Sequence, residues 1–470
     1  MKTRGFRVAV IVLSCAFAAV FLPVPASADS APTGGDLHIA QTLGDRDLTV
    51  VIRRVDGVPG PLPVEVVTHA GTAPGTLGLR AFPVEGDGNS TASLVLGVLP
   101  GSYPATLSVD RPGPWELAID DGREVARIPF VVPARVVPPW EKAAYGGFVA
   151  AGLFLLVALV TALRARRTWL TLVPGAGVVA AVAVGITAAV LSASTPPPPQ
   201  PGPQLDPTGA DVADPYAIVS SLSTMDFSRP PVNLVVTSDA VAGASGEVEL
   251  AFTDGSTGRG VDDLLVHDNA FVHLVIIGPS GELWHLHPVR VAAGRYRVRL
   301  NPPEPGEYAV AAEIARRGGG VQLVRARLDV RPGGRSVFPA TVQAEVRTTV
   351  AGAGSPSTIT AHFTGPADLQ PWLGMLGHLI AVGPLPGDAD LGTAALAAPV
   401  WAHAHAMFPA TPGAVGGQPD ETVAAYGPDV SFTYTFPLPG RYRLWIQAER
   451  GYAVLTVPVT VEVLQKGAGE

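Results

Sequence analysis

Two stretches without a charged side chain, residues 143–163 and 169–192, constrain this chain more than anything else in it. A helix of about 20 apolar residues crosses the hydrocarbon of a bilayer, because it satisfies every backbone polar group internally. Both stretches are long enough. Only residues 164–168 separate them, and that loop carries Arg164, Arg166 and Arg167. The pattern predicts a two-helix transmembrane hairpin whose arginine-rich turn faces the cytoplasm, since basic residues stay on that side. Its partner is the lipid bilayer, and both flanking regions are then extracytoplasmic.

The amino-terminal end agrees. Lys2, Arg4 and Arg7 precede an apolar run from Val8 to Leu22, followed by Ala26-Ser27-Ala28. That order predicts a secretory signal peptide over residues 1–28, with the mature chain starting at Asp29. Its loss removes three positive charges and no acid, taking the net charge from −8 to −11. An acidic exterior excludes nucleic acid and anionic headgroups as partners. The one cysteine, Cys15, lies inside the leader without the small residues before it that lipid attachment needs. The mature chain thus has neither disulfides nor thiolate ligands, and a metal would be held by His, Met or carboxylate.

Outside the hairpin, short alternating runs are punctuated by Gly and Pro. In Arg295-Tyr296-Arg297-Val298-Arg299-Leu300 and Ser431-Phe432-Thr433-Tyr434-Thr435-Phe436, successive residues alternate between polar and apolar. Period two with frequent turns predicts all-β, Ig-like or cupredoxin-like sandwiches. One occupies residues 29–140. After a stiff Pro-rich linker at 193–230, two repeats occupy 231–333 and 340–465.

The repeats are recognised by matched motifs. The first has Asp263-Leu264, then His273-Leu274-Val275-Ile276-Ile277-Gly278-Pro279, His285-Leu286-His287, and Pro305-Gly306-Glu307-Tyr308 with Glu313. The second has Asp368-Leu369, then His378-Leu379-Ile380-Ala381-Val382-Gly383-Pro384, His403-Ala404-His405, and Pro439-Gly440-Arg441-Tyr442 with Gln447-Ala448-Glu449.

Seven of the ten histidines sit at or near these motifs. Residues i and i+2 of a strand share a face, so each His-x-His presents adjacent imidazoles. If Pro279-Ser280-Gly281 forms a three-residue loop with Gly281 left-handed, Gly278 pairs with Glu282 and His273 lies opposite His287, beside His285. A two- or four-residue loop would turn His273 to the opposite face. In the second repeat Met407 extends His403 and His405 along one face, and Met375 precedes His378 by three positions. With so few methionines in the chain, that placement tilts an imidazole–thioether donor set toward copper; zinc is the alternative. The candidate metal ligands are His267, His273, His285, His287, His378, His403, His405, Met375 and Met407. His267 reads as a fourth ligand of the first repeat or as a turn residue. Asp263 and Asp368 read as turn or cap residues, His362 as structural, and Trp284 and Trp401 as core or as a shell around a site.

These motifs resemble the YtkA-like and CopC-like extracytoplasmic β-sandwich families over residues 231–465. On that resemblance His267-Asp268, His273, His285 and His287-Pro288 match the first unit, and His378, His403 and His405 match the second. The match departs where Ala406 replaces the proline and Trp372 stands in the place of His267. The resemblance implies copper handling beside a membrane copper transporter or an oxidase-assembly protein.

No phosphate loop, nucleophile elbow or HExxH motif occurs, so the sequence points to binding rather than catalysis. The expectation is a membrane-anchored protein that sequesters or delivers copper. The alternative is a metal-free scaffold displaying Ig-like domains to a surface partner.

Overall fold

The computed structural model describes residues 36–53, 55, 57–132, 139–164, 167–193, 230–336, 344–387, 390–406 and 420–465. The predicted leader, nearly all of the Pro-rich linker, and Met407 lie outside them. The described chain is mostly β-sheet with one helical hairpin.

The hairpin consists of Pro139–Arg164 and Trp169–Ala193, both long and apolar enough to cross a membrane. Small residues let the two helices touch. Ala144, Gly147 and Ala151 of one and Ala181, Gly185 and Ala188 of the other are buried. A Cβ on Gly147 would fall 2.7 Å from Gly185 Cα, so only backbone fits at that crossing.

In the amino-terminal module, strands Leu37–Leu43, Arg46–Ile52, Gly60–Thr68 and Gly101–Val109 form one sheet; Ser90–Leu96, Gly75–Pro83, Gly113–Asp120 and Val125–Val132 form the other. The first repeat pairs Val232–Ser238, Gly246–Asp254, Arg295–Leu300 and Val289–Ala292 in one sheet. Its second sheet joins Leu264–Leu265, Gly306–Arg316, His273–Ile277, Leu283–Leu286 and Gly320–Val330. The second repeat reproduces that sheet with Leu369–Gln370, Gly440–Arg450, Gly377–Gly383, Val400–Ala406 and Ala453–Val463.

The His273 strand is buried on both faces. Leu274 and Ile276 point into the core of their own repeat. Val275 and Ile277, on the other face, pack with Ile380, Val382 and Trp445 of the second repeat. The two five-stranded sheets therefore dock on each other. The short helix Leu391–Ala397, which alternation did not predict, seals this seam through Ala394 and Ala395.

Asp263 and Asp368 have equivalent roles. Asp263 pairs with Arg316 Nε at 3.0 Å, and Asp368 with Arg450 Nε at 2.5 Å. Arg316 also meets Asp254 at 2.8 Å and is only 3% exposed. Removing one partner of a buried pair strands the other charges, so Arg316→Ala is expected to cost about 3–5 kcal/mol. A urea midpoint unchanged from wild type would contradict this.

Candidate metal centre

The turn after the His273 strand fixes the site. Gly278 N donates to Glu282 O and Gly281 N to Gly278 O, each at 3.0 Å, with Gly281 at φ +90°. Val275 then pairs with His285 and Leu274 with Leu286, which continues to His273 opposite His287. In the second repeat His378 pairs with His405 and Ile380 with His403. Each repeat thus presents three imidazoles on the face that docks against the other.

The sequence motifs predict two sites, one per repeat; the structure brings them into one cluster. The ring centroids of His273 and His403 are 5.1 Å apart, those of His285 and His403 5.0 Å, and those of His285 and His378 5.4 Å. The halves correspond contact for contact. His273 Nε2 lies 3.0 Å from the His267 carbonyl, and His378 Nε2 lies 3.1 Å from the Trp372 carbonyl. His285 Nδ1 faces Gln447 Oε1 across the seam at 3.0 Å, while His403 Nδ1 faces Glu313 Oε2 at 3.5 Å.

Those partners decide the tautomers, assigned here from the hydrogen-bond network. Carbonyl oxygens only accept, so His273 and His378 carry their proton on Nε2. With Gln447 Nε2 donating to Thr456 Oγ1 at 3.0 Å, Gln447 Oε1 likewise holds the His285 proton on Nδ1. In the first repeat a lone pair then faces a lone pair, and in the second the free His378 Nδ1 faces His403 Nε2. His273 Nδ1 lies 3.3 Å from His285 Nε2, and His378 Nδ1 lies 3.1 Å from His403 Nε2. Two acceptors cannot satisfy one another, and a cation between them can. The edge of a tetrahedron with ~2 Å metal–nitrogen bonds is about 3.3 Å.

Among the described residues, His287 Nε2 and His405 Nε2 are also buried without hydrogen-bond partners, at positions equivalent in the two repeats. Protons do not easily bridge these nitrogens. Burial, reinforced by His403 and its neighbours, holds His273, His285 and His378 well below the ordinary imidazole range. The same causes push His287 down to about 3 and His405 to about 4. Neutral imidazole is the form that binds metal.

The other sequence candidates fall as follows. His267 lies at the rim, 3.1 Å from Asp268 and 3.4 Å from Glu313. Met375 is half-buried in the turn Trp372–Met375, which its backbone closes. Trp372 packs against His378 at 4.6 Å and His285 at 5.2 Å. Trp401 joins the apolar seam, and Trp284 packs on Tyr308. His362 is exposed and pairs with Asp429. Glu313 and Gln447 were not proposed as site residues, although their equivalent places after the Pro-Gly-x-Tyr motifs were visible.

The amino-terminal module reaches the same place. Thr42 N donates to His287 O at 2.7 Å, His287 N donates to Thr42 Oγ1 at 3.0 Å, and Ala40 N donates to Asn269 O at 2.7 Å. His69 Nδ1 meets Glu449 Oε1 at 2.6 Å. Burial alone would lower His69, but Glu449 outweighs it and raises it to about 9. A cleft of ≈ 580 Å³ runs between the three modules, lined by Thr49, His69, His285, His287, Trp372 and Trp445.

Residues 339–465 match the family model described as a domain of unknown function (DUF8832). No curated protein matches the chain. Among solved structures, dimeric latent PorU from Porphyromonas gingivalis is 10% identical over 93% of this chain, with a TM-score of 0.16. The chain spans 33% of that protein. The chicken CNTN1 FN1–FN3 domains are 10% identical over 93% of this chain and 100% of theirs, with a TM-score of 0.15. At such scores the likeness bears on neither fold nor function.

Proposed function

We propose that this protein is a membrane-anchored, extracytoplasmic metal-binding protein that holds a transition-metal ion between its two carboxy-terminal repeats. Copper is the first candidate and zinc the alternative. The observation that carries the reading is the facing of His273 Nδ1 on His285 Nε2 at 3.3 Å, both left unprotonated by their other hydrogen bonds, beside the matching approach of His378 Nδ1 to His403 Nε2 at 3.1 Å. An imidazole set accepts copper or zinc, and the sequence placement of Met375 and Met407 favours copper. The modules are read as Ig-like sandwiches and the hairpin as the transmembrane anchor. Contacts such as Thr42–His287 suit a two-crossing hairpin, which would leave residues 36–132 and 230–465 on one side of the membrane.

Binding, rather than turnover, suits a buried, histidine-rich centre. The ion would be sequestered, or passed to a membrane copper transporter or oxidase-assembly partner, with the cleft beside His285 and His287 as the route in and out. The test is a cuprous-ion titration of the full-length protein in detergent against a chromogenic chelator. Wild type is expected to withdraw at least one equivalent, and His285→Ala/His287→Ala to lose that competition. No competition for cuprous, cupric or zinc ions would reject the reading and leave the scaffold of Ig-like domains.

A further inference from the structure

The rim of the histidine cluster differs between the repeats. In the first, His267-Asp268-Asn269-Ala270 forms a two-residue turn closed by His267 N to Ala270 O at 2.9 Å and Ala270 N to His267 O at 3.0 Å. Asp268 and Asn269 both take left-handed φ, +47° and +64°, a conformation these side chains tolerate. The second repeat makes the same turn with Trp372-Leu373-Gly374-Met375, Leu373 at φ +54°. There the central side chain is apolar, so ligand chemistry was placed at one rim only.

At that rim His267, Asp268 and Glu313 offer atoms that all lie within 4.8 Å of one another. His267 Nε2 is 3.1 Å from Asp268 Oδ2 and 3.4 Å from Glu313 Oε1. His405 Nδ1 lies 3.5 Å from Asp268 Oδ2. These separations again approach the ~3.3 Å edge of a tetrahedral site with ~2 Å bonds. A separate observation points into the group. His403 Nδ1 is buried without a hydrogen-bond partner among the described residues, its side chain 4% exposed, and it stands 3.5 Å from Glu313 Oε2.

We propose that His267, Asp268 and Glu313, completed by His405 Nδ1, form a second metal site for a divalent ion such as zinc. It adjoins the inner site of His273, His285, His378 and His403, and the proposal rests on that inner reading. Two carboxylates neutralise a divalent charge and add hard oxygen donors, which the inner set lacks. Glu313, between His267 and His403, links the two sites, so filling one fixes an outer-shell partner of the other.

Equilibrium dialysis of the full-length protein with zinc, read by metal analysis, tests this. Wild type is expected to hold two equivalents. His267→Gln/Asp268→Asn, which keeps the His267 carbonyl that orients His273, should hold one. His285→Ala/His287→Ala should lose the inner equivalent and keep the outer. A wild type with one equivalent, unchanged in number and affinity in His267→Gln/Asp268→Asn, overturns the outer site and leaves the inner one standing. Complete loss of zinc in His285→Ala/His287→Ala also overturns an independent outer site. No zinc and no copper bound by wild type would remove the inner reading, and the outer one with it.

Discussion

In the presence of a chelator, the protein is expected to lose stability steeply as the pH falls from about 6.5 toward 5. His273, His285, His287, His378 and His405 are all depressed by burial below the 6.5 of an exposed imidazole, His287 to about 3 and His405 to about 4. For a base whose folded value is lowered, the unfolded chain binds the proton first. The stability is therefore intact above 6.5 and declines as the pH falls toward the folded values. Each such proton is worth about 1.4 kcal/mol per pH unit, and five act together. Groups whose values are raised behave differently. His69, raised to about 9, contributes fully below 6.5 and is lost only as the pH rises through 9. Glu421, a carboxyl raised to about 7 by burial, gains stability as the pH falls from 7 toward 4.5. With Asp47, Glu124 and Glu282, whose carboxyls burial also raises, it offsets part of that loss. Set against a domain stability of about 5–15 kcal/mol, the net loss should loosen the repeat docking measurably between pH 6.5 and 5. Thermal melts from pH 7.5 to 5 would show a falling midpoint, and His285→Leu/His378→Leu would flatten the slope. A midpoint constant across that range would defeat the prediction. Saturating metal should resist the fall, since an ion at 1,000 times its Kd adds about 4 kcal/mol.

Much of this architecture was legible in the sequence. The apolar stretches gave the helical hairpin, period two gave the β-rich modules, and Pro279-Ser280-Gly281 gave the register that aligns His273 with His287. The merging of the two histidine sets was not read, because alternation assigns a strand face without naming what covers it. A hint was present. His273-Leu274-Val275-Ile276-Ile277 lacks a polar alternate, the mark of a strand buried on both faces. The contacts Thr42–His287 and His69–Glu449 left no local trace, since the hairpin separates the partners in sequence. The exchange of His267 for Trp372 was visible as a departure between repeats. Its meaning, a polar rim on one side and an aromatic wall on the other, needed the turn geometry.

His403 is the histidine whose loss should weaken metal binding most. It belongs to both inner donor groups, with His273 and His285 on one side and with His378 and His405 on the other. Its Nε2 faces His378 Nδ1 at 3.1 Å, and its Nδ1 faces Glu313. Structural zinc sites bind with about 10–16 kcal/mol shared among four ligands. Losing one donor should then cost about 3–4 kcal/mol, or roughly 10²–10³-fold in Kd. His403→Ala opens space in a buried seam rather than stranding a charge, so the fold should survive. His362→Ala is the matched control: that imidazole is exposed, pairs with Asp429 and lies on the Pro356–Phe363 strand, in the other sheet of its repeat. In a chelator competition on the full-length protein, His362→Ala should match wild type and His403→Ala should fall below it by that factor. Equal affinities for the two variants would mean that the centre does not bind across the repeats. Metal, if held at all, would then sit on one repeat alone, and the docking of the two sheets would need a purely apolar explanation in Val275, Ile277, Ile380 and Val382.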